Sequence, residues 1–551
     1  MASNVLSLTG DALAITDIAA VARNNQKLQL APAAIKKMTA ARRVVERHLA
    51  DGQAHYGINT GFGSLAKKRI AQDDLETLQR NLVRSHSAGV GEPLPRDVTR
   101  AMMLCLAASL CRGYSGVRPE LVELLVGMLN KGVTPVVPSL GSVGASGDLA
   151  PLAAVALAMI GEGTCELNGR VMSSSKALAA ARLKPATLKA KEGLALINGT
   201  HLMCGWGALL ASDAHTLHDA AVVALATSID ACRASHSFLD PRLYAARNQY
   251  AQGLSVARRL GDLLTGSAIR DSHVENDPRV QDPYSLRAAP TVLGAVDEAL
   301  GQFADAISLE LGAVTDNPLV FARGSEFEIG HANFRIDRGE FTCDTETAVS
   351  DEDAIVSGAN FHGMPLAIPL DCLAIAIFHI AGISERRSYL MTGAFEPESH
   401  LKPFLTPQPG LSSGLMIAQY TAAACVNEMA TLATPASVVQ LSTCAGMEDY
   451  NSFGPRGAAK AARAIDLARK VVAVELLCAA QGVETHRPLK SGRGVEFAVK
   501  LVRSAVAPLT DDRPLTENIE SIATLIAEGR FTCAFDESAD EPKKRKGRPK
   551  K

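Results

Sequence analysis

The sequence is poor in aromatic residues. They make up 4% of its 551 positions, and there is a single tryptophan. Any core must therefore be filled by Ala, Leu, Ile and Val. Charge of one sign is also lacking. The formal net charge is −2, which leaves the body without bulk attraction to nucleic acid or anionic membranes. No CxxC pair and no HExxH occur, so neither a structural zinc site nor zincin chemistry has support, and no metal is expected. The cysteines number 11, an odd count without regular spacing. Free, mostly buried thiols in a reducing cytoplasm are the expectation. Met1 to Thr16 has no cationic stretch followed by an apolar run, so no signal peptide is expected. The longest apolar stretch, Leu366 to Ile383, is interrupted by Asp371 and His379. It fits a buried helix better than a membrane span.

What the chain does have is alanine-rich helical sequence. Val98–Leu110, Trp206–Ala231, Thr291–Thr315, Leu370–Met391, Met416–Thr431 and Ala458–Ala480 all carry strong helix formers. Several lack a polar face, which implies burial among other helices in a long bundle. The first two hundred residues differ. Glycine-rich stretches at Tyr56–Gly63, Gly89–Gly91 and Gly141–Gly147, with Pro135 and Pro138, break the helical pattern. The expected organisation is a loop-rich N-terminal domain over 1–205, a helical bundle with C-terminal helices over 206–535, and a disordered tail over 536–551. That tail turns acidic and then basic, ending Lys543-Lys544-Arg545-Lys546-Gly547-Arg548-Pro549-Lys550-Lys551. Gly-Arg-Pro among basic residues resembles a minor-groove DNA hook, so nucleic-acid binding is expected only there, if anywhere; a solubilising tail is the plainer reading.

The run Gly141-Ser-Val-Gly-Ala-Ser-Gly-Asp-Leu-Ala-Pro-Leu152 is the most informative. A phosphate loop would need Lys-Ser/Thr after its glycines, and a dinucleotide loop would need GxGxxG. A serine-hydrolase elbow needs GxSxG, whereas Asp148 stands where its last glycine belongs. A plain glycine-rich turn before a helix remains open on this run alone.

Ala145-Ser146-Gly147 in this setting resembles the family of histidine, phenylalanine and tyrosine ammonia-lyases and the related 2,3-aminomutases. Further matches follow in order: Tyr56-Gly-Ile-Asn-Thr-Gly-Phe-Gly63, Leu194-Ala-Leu-Ile-Asn-Gly-Thr200, Gln281-Asp-Pro-Tyr-Ser-Leu-Arg287, Thr315-Asp-Asn-Pro-Leu319, Asn360-Phe-His-Gly363 and Ile383-Ser-Glu-Arg-Arg387. The resemblance implies a mainly α-helical fold and a cytoplasmic homotetramer whose active sites each draw on three chains. It implies an electrophile, 4-methylidene-imidazol-5-one, formed autocatalytically from Ala145, Ser146 and Gly147 with loss of two waters, so that no external cofactor is needed. Gly has no Cβ to obstruct attack of its nitrogen on the Ala145 carbonyl, and Ser146 supplies the hydroxyl that leaves.

The reaction implied is elimination of ammonia from an L-aromatic amino acid. The amine is a poor leaving group until an electrophile captures it, and the β proton needs a base. By resemblance Tyr56 is that base. Arg287 clamps the substrate carboxylate through its planar fork, and Tyr284 and Asn198 orient the electrophile and the amine. Gln281 is a polar partner in the same pocket, and Phe361 packs beside the ring. Three positions bear on substrate. Ser85-His86, Met416 and Glu448 match the histidine-specific branch. A pocket carboxylate and imidazole need hydrogen-bond partners, which an imidazole side chain supplies and a phenyl ring does not. The expectation is L-histidine to urocanate. Met447, Tyr450, His201 and Met364 depart from the histidine pattern, so tyrosine, phenylalanine and an aminomutase outcome stay open.

Overall fold

The structure, a computed structural model, describes residues 5–51, 53–61, 63, 70–248, 250–275, 277–337, 340–350 and 352–538. The basic segment Lys543–Lys551 lies outside the described residues. The fold is mainly α, as the alanine-rich segments require. Helices occupy Arg96–Cys111, His201–Ala231, Ala289–Leu311, Met364–Gly393, Met416–Leu432 and Gly454–Glu484. The longest have 31 residues, about 46 Å at the α-helical rise. Met364–Gly393 is the one described helix long and apolar enough to cross a membrane, and just over half of its most apolar window is buried.

The chain divides into two compact units, each built from three segments. The first comprises Met1–Leu209, Ala304–Pro369 and Ala436–Ala458. The second comprises Leu210–Phe303, Leu370–Pro435 and Ala459–Lys551.

In the first unit the helix Arg96–Cys111 is buried along nearly its whole length. Its Arg100 donates to the carbonyls of Val21, Ala22 and Leu129 at 2.8 to 3.1 Å. A buried guanidinium thereby satisfies the last carbonyls of two other helices, Ile15–Ala22 and Pro119–Lys131. Burial pushes Arg100 down to about 10. Among the described residues, five small sheets complete this unit. They include the strand pairs Leu6–Leu8 with Leu28–Leu30, Val90–Pro93 with Pro138–Leu140, and Leu319–Phe321 with Ala354–Val356.

The second unit is held by helices. Its interior contains a fully buried ion pair, Arg387 with Glu475, and Glu475 also accepts from Ser228 Oγ at 2.7 Å. Paired and hydrogen-bonded, the two charges avoid the cost of isolated burial. Among the described residues ten cysteines are free, six of them buried.

Candidate active site

Two loops of the first unit end side by side at helix starts. Gly141–Asp148 leads into the helix Leu149–Met159, and Asn198–Thr200 leads into His201–Ala231. Gly147 has φ +71°, and a Cβ there would overlap the Gly199 backbone. Only glycine permits both that conformation and that approach. Asp148 N donates to Gly199 O at 2.7 Å, and Gly199 N donates to Ser146 O at 3.4 Å.

Asp148 ties the two loops together. Its carboxylate, fully buried, accepts from Leu202 N at 2.9 Å and Met203 N at 3.1 Å. It thus satisfies free N–H groups in the first turn of His201–Ala231, a helix other than the one it precedes. Burial pushes its carboxyl up to about 7, against the pull of those two N–H groups and Ser142. A further clamp acts on the other side of the tripeptide. Gly144 O accepts from Gly363 N at 3.1 Å and Ser452 Oγ at 3.0 Å, and Val143 O accepts from Phe453 N at 2.9 Å. The tripeptide is therefore held at both ends by backbone contacts from segments far away in sequence. Ala145 and Gly147 are buried, and Ser146 is half-buried.

The same clamp carries Glu448. The Ser146 hydroxyl donates to Glu448 Oε1 at 2.9 Å, and Thr443 Oγ1 donates to Oε2 at 3.0 Å. His362 braces this loop from the Phe361 side. Its ring stacks near Tyr450, with centroids 6.2 Å apart, and Nε2 donates to Tyr450 O at 3.1 Å.

Tyr56 stands on a turn pinned by Asn59, which accepts from His55 N and donates to Gln53 O, both at 2.7 Å. The Tyr56 hydroxyl accepts from Gly63 N at 3.5 Å. A Cβ on Gly63 would press on Cys444 Sγ, so the tyrosine loop lies against the loop of Glu448. Asn198 is buried; its Nδ2 donates to Asn317 O at 3.2 Å and, more weakly, toward Asp316. Asp316 is paired with the buried Lys191 at 2.7 Å. With its amide nitrogen occupied in this way, Asn198 has its oxygen without a partner among the described residues.

His86 stands apart from these contacts. It ends the helix Leu75–His86, and its Nδ1 is 2.9 Å from Leu82 O. A carbonyl only accepts, so Nδ1 is the donor of that contact, and Nε2 is the ring nitrogen without a partner among the described residues.

In the second unit, Arg287 Nε donates to Asp282 O at 2.8 Å, and the guanidinium lies 4.5 Å above the Tyr284 ring. This orients the arginine while leaving its terminal N–H groups for a carboxylate. Tyr284 is 71% exposed and Gln281 is exposed; Met416 is half-buried at the start of Met416–Leu432.

Several groups carry the site that were given no role from sequence: Asp148, His362 and Asp316, which lie inside matched motifs, and Ser452 and Lys191, which lie in none. Asp148 had a signal, an acidic residue directly before a helix. Ser452 and Lys191 act through contacts that spacing does not reveal.

A helical fold bearing a glycine-flanked Ala-Ser-Gly loop, a tyrosine turn and an adjacent carboxylate is that of a carbon–nitrogen lyase. The chain belongs to the aromatic amino acid lyase family, whose profile matches residues 13–504. It is 44% identical to a histidine ammonia-lyase of Gloeobacter violaceus, over 96% of this chain and 97% of that one. The crystal structure of histidine ammonia-lyase from Trypanosoma cruzi superposes with a TM-score of 0.85 at 36% identity, covering 98% of this chain and 96% of that one. A tyrosine aminomutase from Streptomyces globisporus superposes with a TM-score of 0.85 at 31% identity, covering 97% and 99%.

Proposed function

We propose that the chain is a histidine ammonia-lyase, converting L-histidine to urocanate and ammonia through an electrophile made from Ala145, Ser146 and Gly147. The observation that carries this reading is the Ser146–Glu448 hydrogen bond, which puts a carboxylate beside the tripeptide. A carboxylate in that place suits a ring with an N–H to donate. The histidine ammonia-lyase relatives, at 42 to 44% identity over nearly their whole length, support the same substrate.

The tripeptide fits the group. Gly147 is the one residue type that tolerates the approach of Gly199, and the loop is braced on both sides. The methylidene-imidazolone, held where Ala145–Gly147 stand, would supply an electrophilic alkene, the chemistry that turns an amine into a leaving group. Everything else falls to the chain's own side chains. Tyr56 Oη takes the β proton, with the Gly63 N–H directed at it from 3.5 Å. Asn198 Oδ1 accepts from the substrate amine. The terminal N–H groups of Arg287 hold the α-carboxylate, with Gln281 beside them and Tyr284 beneath the guanidinium. Glu448 and His86 Nε2 meet the imidazole, while Phe361 and Met416 close its apolar faces.

Tyr284, Ile417, Tyr420 and Tyr389 of the second unit are all exposed. Such exposure suits an obligate oligomer, and we read the enzyme as a homotetramer in which neighbouring copies complete each site. The free thiols fit a cytoplasmic location. The test is incubation of the pure protein with L-histidine, L-tyrosine and L-phenylalanine separately, with products identified by mass spectrometry. Urocanate as the fastest product is expected. Cinnamate, coumarate or a β-amino acid as main product would reassign the substrate or the outcome.

A further inference from the structure

We propose that Glu448 catalyses the second water loss that finishes the electrophile, acting on Ser146 before it meets any substrate. The inference rests on the reading of Ala145–Gly147 given above. In the unclosed tripeptide the Ser146 hydroxyl donates to Glu448 Oε1 at 2.9 Å. That hydroxyl is the group that must leave. The finished electrophile has no oxygen there, so this contact exists only while the chain is immature.

The carboxylate is built to stay in place. Thr443 Oγ1 holds Oε2 at 3.0 Å, and the backbones of Thr443 and Glu448 bond to each other in both directions, at 2.8 and 3.3 Å. Three residues beyond Glu448, Asn451 N donates to Gln440 Oε1 at 2.8 Å. Ser452 and Phe453 then bond to Gly144 and Val143 of the tripeptide loop. The segment that carries the carboxylate is thus anchored to the N-terminal flank of the tripeptide.

The chemistry balances without any co-reactant. Ring closure joins Gly147 N to the Ala145 carbonyl carbon and releases the first water. It also acidifies the Ser146 Cα–H, because the electron pair left behind is delocalised into the new ring. Glu448 takes that proton. The Cα–H pair becomes the Cα=Cβ bond and the Cβ–Oγ bond breaks. Glu448 returns the proton to Oγ, which departs as the second water, and the carboxylate is regenerated. One group serves as base and then as acid, and its contact with the leaving oxygen makes the second role immediate.

Intact mass read during synthesis tests this, because it reports maturation independently of turnover. Wild-type chain and variants are made in a cell-free system, quenched at intervals and weighed, and the peptide covering 141–152 is sequenced by fragmentation. Wild-type chain is expected to pass rapidly to the mass lacking two waters. Glu448→Gln keeps an acceptor for the Ser146 hydroxyl but cannot carry the proton. It should accumulate the species lacking one water, with the second loss slowed about 10²- to 10⁴-fold, the range of general acid–base catalysis. Glu448→Asp, which retains a carboxylate, should recover part of the rate. Glu448→Gln losing both waters at the wild-type rate overturns the inference while leaving the function proposed above intact. Wild-type chain that loses no water overturns both. Should Glu448→Gln fail to fold, Thr443→Val decides: it leaves the carboxylate but frees Oε2, and an unchanged second step would count against the inference.

Discussion

Replacing Asp148 by alanine removes one carboxylate that two loops and a helix start depend on. Leu202 and Met203 lose the acceptor of their N–H groups in a buried place, and each orphaned donor costs about 1–3 kcal/mol. A loss of roughly 2–6 kcal/mol follows where the carboxyl is neutral in the fold. A second effect opposes it as pH rises. Burial raises the Asp148 carboxyl from 3.8 to about 7, so the folded state holds this proton more tightly than the unfolded chain does. Wild-type stability therefore falls as pH climbs from about 4 to about 7, by up to roughly 4 kcal/mol at about 1.4 kcal/mol per pKa unit. Alanine has nothing to titrate. The gap between wild type and Asp148→Ala should be widest near pH 5 and narrow by pH 8. Asp148→Asn keeps an acceptor oxygen and no charge, so it should gain on wild type above pH 7. Thermal unfolding midpoints of the three proteins across pH 5 to 8 are the assay. Parallel pH profiles for wild type and Asp148→Ala, or equal midpoints at pH 5, would refute the reasoning.

His201 tests the opposite sign. Burial depresses it to about 4, and neither ring nitrogen has a hydrogen-bond partner among the described residues; its contribution is complete above pH 6.5 and is lost as pH falls toward 4, so His201→Gln should lessen the loss of stability between pH 7 and 5, read as unfolding midpoints. Tyr56→Phe removes proton transfer alone and should lower kcat about 10²- to 10⁴-fold with KM little changed; near-normal kcat would require another base. Arg287→Ala should cost kcat/KM about 1.5–3 kcal/mol, seen largely in KM, and Arg287→Lys should not restore it, since Lys lacks the planar fork. Co-expression of Tyr56→Phe with Arg287→Ala should recover part of the activity if sites are shared between copies. Hybrids as inactive as the parents would argue that each copy carries its own complete site.

The helices were legible because alanine-rich apolar stretches admit few other solutions, but their starts were less so. Met364–Gly393 begins six residues before the expected Leu370: Pro365 sits in the first turn, where N–H groups lack partners anyway, and the helix runs on through Pro369 in its interior. His201–Ala231 begins ahead of Trp206, through Gly205, which sits tightly against the Ala101–Met102 backbone and so cannot be anything larger. Ala289–Leu311 stops before the expected Thr315, at Gly312. The candidate site residues could be named from separate motifs. How the first unit joins them was not legible, since Asp148 caps a helix some fifty residues downstream and Gly144 is gripped by residues more than two hundred positions away. Local pattern marks which residues matter; only the fold shows that Glu448 meets Ser146.

The central claim is that this chain makes its own electrophile, and the intact mass of the purified protein tests it most directly. Wild-type protein should weigh two waters less than its sequence, with the loss confined to the peptide spanning Gly141 to Leu152. Ser146→Ala has no hydroxyl to eliminate, so it should lose one water at most and show no lyase activity. A wild-type mass equal to that of the unmodified chain would contradict the account.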